Sequence, residues 1–308
     1  MDKNQLKAYA RRVRDHRIAG RIVRFPFARL MASGVSVPRS ISHHLPYTGE
    51  FVTRCPDGGE FRMDSRGDLI ESLVYWDGVF AHDAECIAAW IELARSSRVV
   101  LDVGANTGLY SLIAGGVSPG CQVHAFEPLG RVADRLRLNA ALNPSFDIVA
   151  HQRAVGAVSG TATIYDPGGT ATNCYSASLN PEFMPGVQQE SYDVEVVALD
   201  EFVTSHQLPS VDLIKIDVEG FEEYVLDGLT QTIQRFRPAI LMEFLTDENP
   251  RVKQHIVELM ANGYALLHLS PEGAHRAHTA SKPAVGQNVL LLPEERPLAT
   301  VPVLEAVA

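Results

Sequence analysis

The chain has 308 residues, a formal net charge of −10 at neutral pH and 46% hydrophobic residues. This length suits one large α/β domain with an extension or two small domains, and the acidic balance disfavours nucleic acid as a partner. No apolar run approaches the ~20 residues of a membrane span, and no secretory leader is recognisable. The four scattered cysteines lack zinc or disulfide spacing, so we expect a cytoplasmic protein.

Residues 1–45 form a basic N-terminal extension. The first 29 residues contain nine Lys and Arg but only two Asp, and an imperfect apolar stripe predicts a helix. Such a helix either packs on the body with its basic face in water or docks weakly to an anionic membrane surface or an acidic carrier protein.

Residues 46–95 are predicted to form an accessory hairpin followed by helices. Residues 49–54 and 60–64 flank Cys-Pro-Asp-Gly-Gly, a strong turn cluster, which indicates a β-hairpin. Two helices follow, at 68–76 and 81–94.

Residues 96–308 are predicted to form one α/β domain. Buried strands alternate with amphipathic helices from residue 98 onward, which indicates a doubly wound, mostly parallel sheet of seven strands. The predicted strands are 98–103, 122–127, 147–151, 211–217, 238–244, 264–268 and 288–292, and the helices are 107–116, 129–142, 219–227 and 249–261. A Gly/Ser-rich stretch at 167–186 interrupts this alternation, and we expect it to be a lid or a binding loop.

The first strand of this domain leads into a glycine loop, Asp102-Val-Gly104-Ala105-Asn106-Thr-Gly108. The order strand, tight loop, helix is typical of a nucleotide-like ligand site at the carboxyl end of a strand. Glycine lacks a Cβ, so a ligand can approach the backbone closely. The spacing differs from the dinucleotide fingerprint, and the carboxylate of Asp102 favours a ligand that carries a cationic amino group over a pyrophosphate.

The second strand ends at Glu127-Pro128, 19 residues beyond Gly108. A carboxylate at about this distance from a glycine loop accepts hydrogen bonds from ribose hydroxyls in doubly wound folds. We therefore predict that Glu127 binds a ribose.

The fourth and fifth strands also end in charged residues. Lys215 and Asp217 lie two residues apart and therefore on one side of a strand, with Glu219 at the predicted start of a helix. These charges line a ligand pocket, or Lys215 pairs with a carboxylate while Asp217 caps the helix. The fifth strand ends in Glu243 at the same edge of the sheet.

These segments together resemble the FkbM family of S-adenosylmethionine-dependent methyltransferases, which have a Rossmann-like class I fold. The resemblance covers about residues 98–270 and rests on Val-Leu-Asp-Val-Gly-Ala-Asn-Thr-Gly, Phe-Glu-Pro, Val-Ala-Leu-Asp-Glu-Phe, Ile-Lys-Ile-Asp-Val-Glu-Gly and Pro-Ala-Ile-Leu-Met-Glu-Phe. It implies O-methylation of a hydroxyl on a natural product, sugar or glycolipid-type small molecule.

The resemblance also implies which residues bind S-adenosylmethionine. It places Arg153 and Ala154 beside the adenine, although Arg153 would also suit an ordinary strand exit. The predicted cofactor-binding residues are Asp102, Gly104, Ala105, Asn106, Gly108, Glu127, Pro128, Arg153, Ala154 and Asp217.

An alcohol needs a base or a metal to lose its proton at neutral pH. The predicted catalytic residues are Asp217, Glu219 and Glu243, and three histidines are alternative bases: His82, His124 and His151. Of these, His124 lies within a predicted buried strand and is expected to be a core residue. We expect no metal, because no ligand set is recognisable in the spacing. Two other functions stay open: a methyltransferase that acts on a macromolecule, and a non-catalytic protein that binds the cofactor and docks through its basic extension.

Overall fold

The computed structural model describes residues 45–56, 58–167, 177–181, 186, 188–244, 249–281, 288–298 and 303–305. The predicted basic helix near the N-terminus and most of the predicted loop at 167–186 lie outside these residues. No helix within the described ranges is long and apolar enough to cross a membrane.

The predicted accessory hairpin is confirmed. Strands β1 (Thr48–Arg54) and β2 (Glu60–Arg66) pair antiparallel. Helix α1 (Leu69–Asp77), a short 3-10 turn (Val79–Ala81) and helix α2 (Ala84–Arg95) follow.

The rest of the described chain alternates strands with helices, as predicted. The strands are β3 (Val99–Val103), β4 (Gln122–Phe126), β5 (Asp147–His151), β6 (Ala154–Val155), β7 (Gly160–Asp166), β8 (Glu190–Val197), β9 (Leu213–Ile216), β10 (Ala239–Glu243), β11 (Tyr264–Ser270), β12 (Gly273–Ala277), β13 (Asn288–Pro293) and β14 (Val303–Glu305). The helices are α3 (Leu109–Val117), α4 (Gly130–Ala141), α5 (Leu199–Ser205), α6 (Glu222–Asp227), α7 (Thr230–Phe236) and α8 (Pro250–Ala261).

The main sheet has the order β14-β12-β11-β13-β10-β9-β3-β4-β5. Its pairs β5-β4, β4-β3, β3-β9, β9-β10 and β12-β14 are parallel, whereas β13 runs antiparallel to both β10 and β11. A mostly parallel sheet is therefore confirmed. It has nine described strands where seven were expected, because β12 forms a hairpin with β11 and β14 pairs with β12. Strands β6, β8 and β7 form a separate small sheet.

Helices cover both faces of the main sheet. On one face, Leu213 of β9 belongs to a cluster with Phe61 of the hairpin and Trp90 of α2. On the other face, Ile214 belongs to a cluster with Phe202 of α5. The alternation of neighbouring strand residues between two apolar cores explains why these strands are continuously hydrophobic. Accessory and α/β residues share the first core.

A buried ionic cluster also joins the accessory helices to the α/β region. Arg135 of α4 forms an ion pair with Asp68, and its Nη2 lies 2.9 Å from Oε1 of Glu71 in α1. Both carboxylate side chains are fully buried. Buried charges of this kind are stable only when they are paired, so the cluster fixes α1 against α4.

Candidate active site

A cavity of about 940 Å³ lies at the carboxyl ends of the parallel strands. Ligands of open α/β sheets bind at this edge. Following the strand order, we call its two parts the β4 end and the β10 end. The β4 end is lined by Asp102, Gly104, Ala105, Asn106, Glu127, Pro128, Arg153 and Ala154. The β10 end is lined by His82, Asp83, Glu85, Cys86, Tyr110, Lys215, Asp217, Glu219, Glu243, Leu269 and Asn288. Leu69 and Ile70 of α1 also line the cavity.

The glycine loop has the predicted position between β3 and α3, and its backbone conformation and packing also favour glycine. Gly104 and Gly108 have φ values of +78° and +95°, which side chains rarely adopt. A Cβ on Gly104 would overlap the carbonyl oxygen of Asp217, and one on Gly108 would lie 2.6 Å from Leu136. Close packing against the protein therefore requires both glycines. Among the described residues, Gly108 is not part of the cavity lining.

Asp102 is fully buried near the end of β3. Its Oδ2 accepts a hydrogen bond of 2.5 Å from Ser111 Oγ, and Lys215 is its register partner on β9. Burial raises the pKa of Asp102, while the Ser111 hydrogen bond and the charge of Lys215 oppose this shift. The side chain thus places a buried carboxyl group at the cavity wall.

Glu127 follows β4 and is anchored by backbone N–H groups from two loops. Its Oε1 accepts from Leu129 N at 2.9 Å, and its Oε2 accepts from Asn106 N at 3.2 Å. Burial raises the pKa of Glu127 to about 7, although these two hydrogen bonds favour the ionised form. Asn106 itself has φ +51°, and its buried Oδ1 has no hydrogen-bond partner among the described residues. The β4 end therefore presents oriented acceptor oxygens to a ligand.

Arg153 lies in the lining after β5 but is also paired. Its Nη2 lies 2.8 Å from Oε1 of Glu195, on β8. Ala154, the first residue of β6, is buried beside it. Both residues line the same cavity as Glu127.

At the β10 end, Lys215 and Asp217 form the predicted pair, with 2.7 Å between Nζ and Oδ2. The buried ammonium of Lys215 also lies 4.6 Å above the ring of Tyr110. Burial alone would lower the pKa of Lys215, but attraction to Asp217 and Asp102 raises it overall. Lys215 therefore remains charged and holds one oxygen of Asp217.

The segment after Asp217 differs from the prediction. A helix was expected to begin at Glu219, but α6 begins at Glu222. Glu219 and Gly220 have φ values of +56° and +86°, so they form a turn in the left-handed region instead. Glu222, rather than Asp217, accepts hydrogen bonds from backbone N–H groups of this turn. The alternative in which Asp217 caps the helix is therefore wrong.

The cavity brings together Asp217, Glu219 and Glu243, which we call the acidic triad. Burial and the neighbouring carboxylates raise the pKa of Glu219 to about 8 and that of Glu243 to about 9. These two side chains are therefore carboxylic acids at neutral pH unless a cation lies beside them.

Of the three histidines considered as bases, only His82 contributes to this cavity lining. Its Nε2 lies 3.1 Å from Oδ2 of Asp83, a residue with φ +48°. His124 is buried, as predicted, and its Nδ1 lies 3.0 Å from Nε2 of His151. Burial lowers the pKa of both His124 and His151 to about 4.

The residues of the β10 end that sequence reasoning missed include Asp83, Tyr110 and Asn288. The strained φ of Asp83 is not readable from sequence, and Asn288 reaches the site only through the antiparallel pairing of β13 with β10. Tyr110 follows the glycine loop directly, and that position was the available signal. Within the described residues, no three His, Cys, Asp or Glu side chains form a metal ligand set.

Known proteins that are similar to this chain in sequence include methyltransferases. A hexuronic acid methyltransferase AglP of Haloferax volcanii is 29% identical over 153 residues, which are 49% of this chain and 58% of that protein. A 31-O-demethyl-FK506 methyltransferase FkbM of Streptomyces tacrolimicus is 31% identical over 166 residues, which are 44% of this chain and 60% of that protein. The chain thus spans about 60% of the length of these curated relatives.

A structural comparison gives a weaker likeness. The crystal structure of a methyltransferase FkbM from Methylobacillus flagellatus KT has 17% sequence identity and a TM-score of 0.40, with 63% of this chain and 43% of that chain covered. The family assignment does not depend on it, because residues 102–266 match the methyltransferase FkbM domain. The matched region runs from Asp102 through β4, β9 and β10 into β11, and it contains the glycine loop, Glu127 and the acidic triad. The chain belongs to the methyltransferase FkbM family.

Proposed function

We propose that this protein transfers a methyl group from S-adenosylmethionine to a hydroxyl of a small molecule, such as a natural product, a sugar or a glycolipid-type acceptor. One observation carries the proposal: a single cavity holds the anchored Glu127 at one end and the acidic triad with Lys215 at the other. A methyl donor and a hydroxyl would therefore meet between them.

The residues of the β4 end fit S-adenosylmethionine. The carboxylate of Glu127 would accept hydrogen bonds from the ribose hydroxyls. Asp102 supplies negative charge near the glycine loop for an amino group, and Asn106 Oδ1 is a buried acceptor without a partner among the described residues. Arg153 and Ala154 would flank the adenine.

When bound, S-adenosylmethionine supplies a methyl group on a cationic sulfur that keeps the carbon–sulfur electron pair. The protein then has to align the acceptor oxygen with this methyl group and remove the hydroxyl proton. Glu219 and Glu243 are mostly protonated at neutral pH in the absence of a ligand, because their pKa values are raised to about 8 and about 9. We therefore assign the removal of the hydroxyl proton to Asp217. Lys215 orients this side chain by donating a hydrogen bond to Oδ2 of Asp217.

The accessory unit at residues 46–95 would complete the acceptor part of this site. Leu69 and Ile70 of α1, together with Glu85 and Cys86 of α2, line the cavity. We propose a division into a basic extension (1–45), this accessory unit and a methyltransferase domain (96–308), in which the accessory unit contributes to acceptor choice.

A methyl-transfer assay with Asp217→Asn tests this assignment. Radiolabelled S-adenosylmethionine would be offered with a panel of sugars and hydroxylated small molecules. Loss of a general base predicts a decrease in kcat of about 10²–10⁴-fold. Asp193→Asn, which alters an exposed carboxylate on β8, is the matched control and should keep full activity.

Full activity of Asp217→Asn would remove this residue from the reaction. Tight binding of S-adenosylmethionine by the wild-type protein without transfer to any acceptor on the panel would contradict the enzymatic function itself.

A further inference from the structure

The β10 end of the cavity is strongly acidic. Five carboxyl groups line it: Asp83, Glu85, Asp217, Glu219 and Glu243. The basic lining residues at this end are Lys215 and His82, and each already has a carboxylate partner. Nζ of Lys215 lies 2.7 Å from Oδ2 of Asp217, and Nε2 of His82 lies 3.1 Å from Oδ2 of Asp83. Among the described lining residues, no further base is present here to balance Glu219 and Glu243.

Several oxygen atoms at this end also lack hydrogen-bond donors. Oε2 of Glu243 and Oδ1 of Asn288 are buried without a partner among the described residues. These two residues are register partners on β10 and β13, so their side chains start from adjacent positions in the sheet. The hydroxyl of Tyr110, also in the lining and deeply buried, has no partner in the described part of the chain either.

Buried acceptor oxygens without donors are costly, and they are rare in folded proteins unless a ligand or water completes them. A protonated amine offers three N–H donors and a positive charge, and it carries no acceptor that would oppose a carboxylate. An anionic group offers no N–H donor, so it would leave the buried Oδ1 of Asn288 without a partner.

We propose that Glu243 and Asn288 form an ammonium cradle that binds a protonated amine of the methyl acceptor, so that the acceptor is a hydroxylated amine such as an amino sugar or an amino alcohol. This inference rests on the proposed methyltransferase function. It differs from the substrate in the name of the Haloferax volcanii relative, which is a hexuronic acid.

The amino group of S-adenosylmethionine is a second source of the same chemistry, and the sheet order argues against it. Neighbouring strands are about 4.8 Å apart, so β10 lies about 10 Å and β13 about 14 Å from β3 along the sheet. Asp102, on β3 next to the glycine loop, is therefore the nearer carboxylate for the donor's amino group. The cradle lies on the far side of β9 from that loop.

A set of three small probes of matched size tests the proposal: ethanolammonium, ethylene glycol and glycolate. Each contains a hydroxyl, and the three differ in carrying an ammonium, a second hydroxyl or a carboxylate. Binding would be measured by isothermal titration calorimetry to the full chain saturated with S-adenosylhomocysteine, which already contains the donor's own amino group. We expect ethanolammonium to bind at least tenfold more tightly than either of the other probes.

Two variants locate the binding. Glu243→Gln and Asn288→Ala should each weaken ethanolammonium binding at least fivefold and leave the Kd of S-adenosylhomocysteine unchanged. The unchanged Kd also shows that the variants are folded. Glu50→Gln, which changes an exposed carboxylate of β1 outside the cavity, is the matched control and should bind all ligands like the wild type.

Comparable binding of the three probes, or no binding of ethanolammonium, would overturn the ammonium cradle. A tenfold loss of S-adenosylhomocysteine affinity in Glu243→Gln would overturn it too, since the residue would then serve the donor. Failure of the wild-type protein to bind S-adenosylhomocysteine is a different result, which would refute the proposed function together with this inference.

Discussion

Replacing Glu127 with glutamine should weaken binding of the methyl donor and change its pH dependence. Each oxygen of Glu127 accepts one backbone N–H, from Leu129 at 2.9 Å and from Asn106 at 3.2 Å, and each keeps a lone pair for a ribose hydroxyl. A glutamine amide has only one oxygen, so its NH₂ group would face one of these N–H donors.

The magnitude follows from the bonds that change. A hydrogen bond to a charged group contributes about 1.5–3 kcal/mol, whereas a neutral one contributes about 0.5–1.5 kcal/mol. Two ribose hydroxyls on a neutral amide would therefore lose about 1–3 kcal/mol in total, which is roughly a 5- to 150-fold weaker Kd at pH 8.

The pH dependence has a definite sign. Burial raises the pKa of Glu127 to about 7, so the carboxylate becomes protonated below that pH and loses acceptor capacity. The Kd of the wild-type protein should increase as the pH falls from 8 to 6, by up to about tenfold per pH unit below the pKa. Glu127→Gln cannot titrate and should lack this component.

Isothermal titration calorimetry with S-adenosylhomocysteine at pH 6, 7 and 8 measures both effects. Glu50→Gln is again the matched control and should reproduce the wild-type curve. An equal pH dependence in the wild type and in Glu127→Gln, or an unchanged Kd at pH 8, would refute the role of Glu127 in ribose binding.

Three further predictions concern stability and are measured by urea unfolding. Arg135→Ala should lower the free energy of unfolding by about 3–5 kcal/mol, because it leaves Asp68 and Glu71 as buried carboxylates without their cation. The control Arg137→Ala removes an exposed ion pair on the same helix and should lower it by under about 1 kcal/mol. Equal losses in the two variants would contradict the buried cluster. Gly104→Ala should cost at least about 2 kcal/mol, because alanine is strained at φ +78° and its Cβ would overlap a carbonyl oxygen, and a neutral substitution would exclude this loop geometry. Without ligand, the free energy of unfolding should decrease as the pH rises from about 5 to about 9. Burial raises the pKa values of Glu219 and Glu243 from 4.5 to about 8 and about 9, so the folded state keeps protons that the unfolded state has lost. A free energy of unfolding that increases over this range would disprove these pKa shifts.

The central part of the fold could be predicted because its signals are local. Strands such as Val99–Val103 are continuous apolar runs that end in charged or glycine-rich loops, and a parallel sheet places all such ends at one edge. That rule is sufficient to bring Asp102, Glu127 and the acidic triad into one cavity.

The features that were missed depend on contacts distant in sequence or on backbone conformation. Strand β12 has no run of large apolar residues by which it could be recognised, and it pairs with β11. The predicted start of α6 lies three residues before the observed one. Glu219 adopts a left-handed backbone conformation, which a glutamate in the sequence does not predict. Asn288 enters the site through a strand pairing that no local pattern encodes.

Trp90 has a consequence for any attempt to change the acceptor. This residue of α2 is fully buried, belongs to the same core as the sheet and donates a hydrogen bond of 3.0 Å to the carbonyl oxygen of Tyr110, beside the glycine loop. The accessory unit therefore cannot be exchanged on its own, because transplanting it would open the core on which the glycine loop rests. Redesign of acceptor choice has to proceed by replacing individual side chains that face the cavity, such as Ile70 and Glu85, while the buried face of α2 is kept.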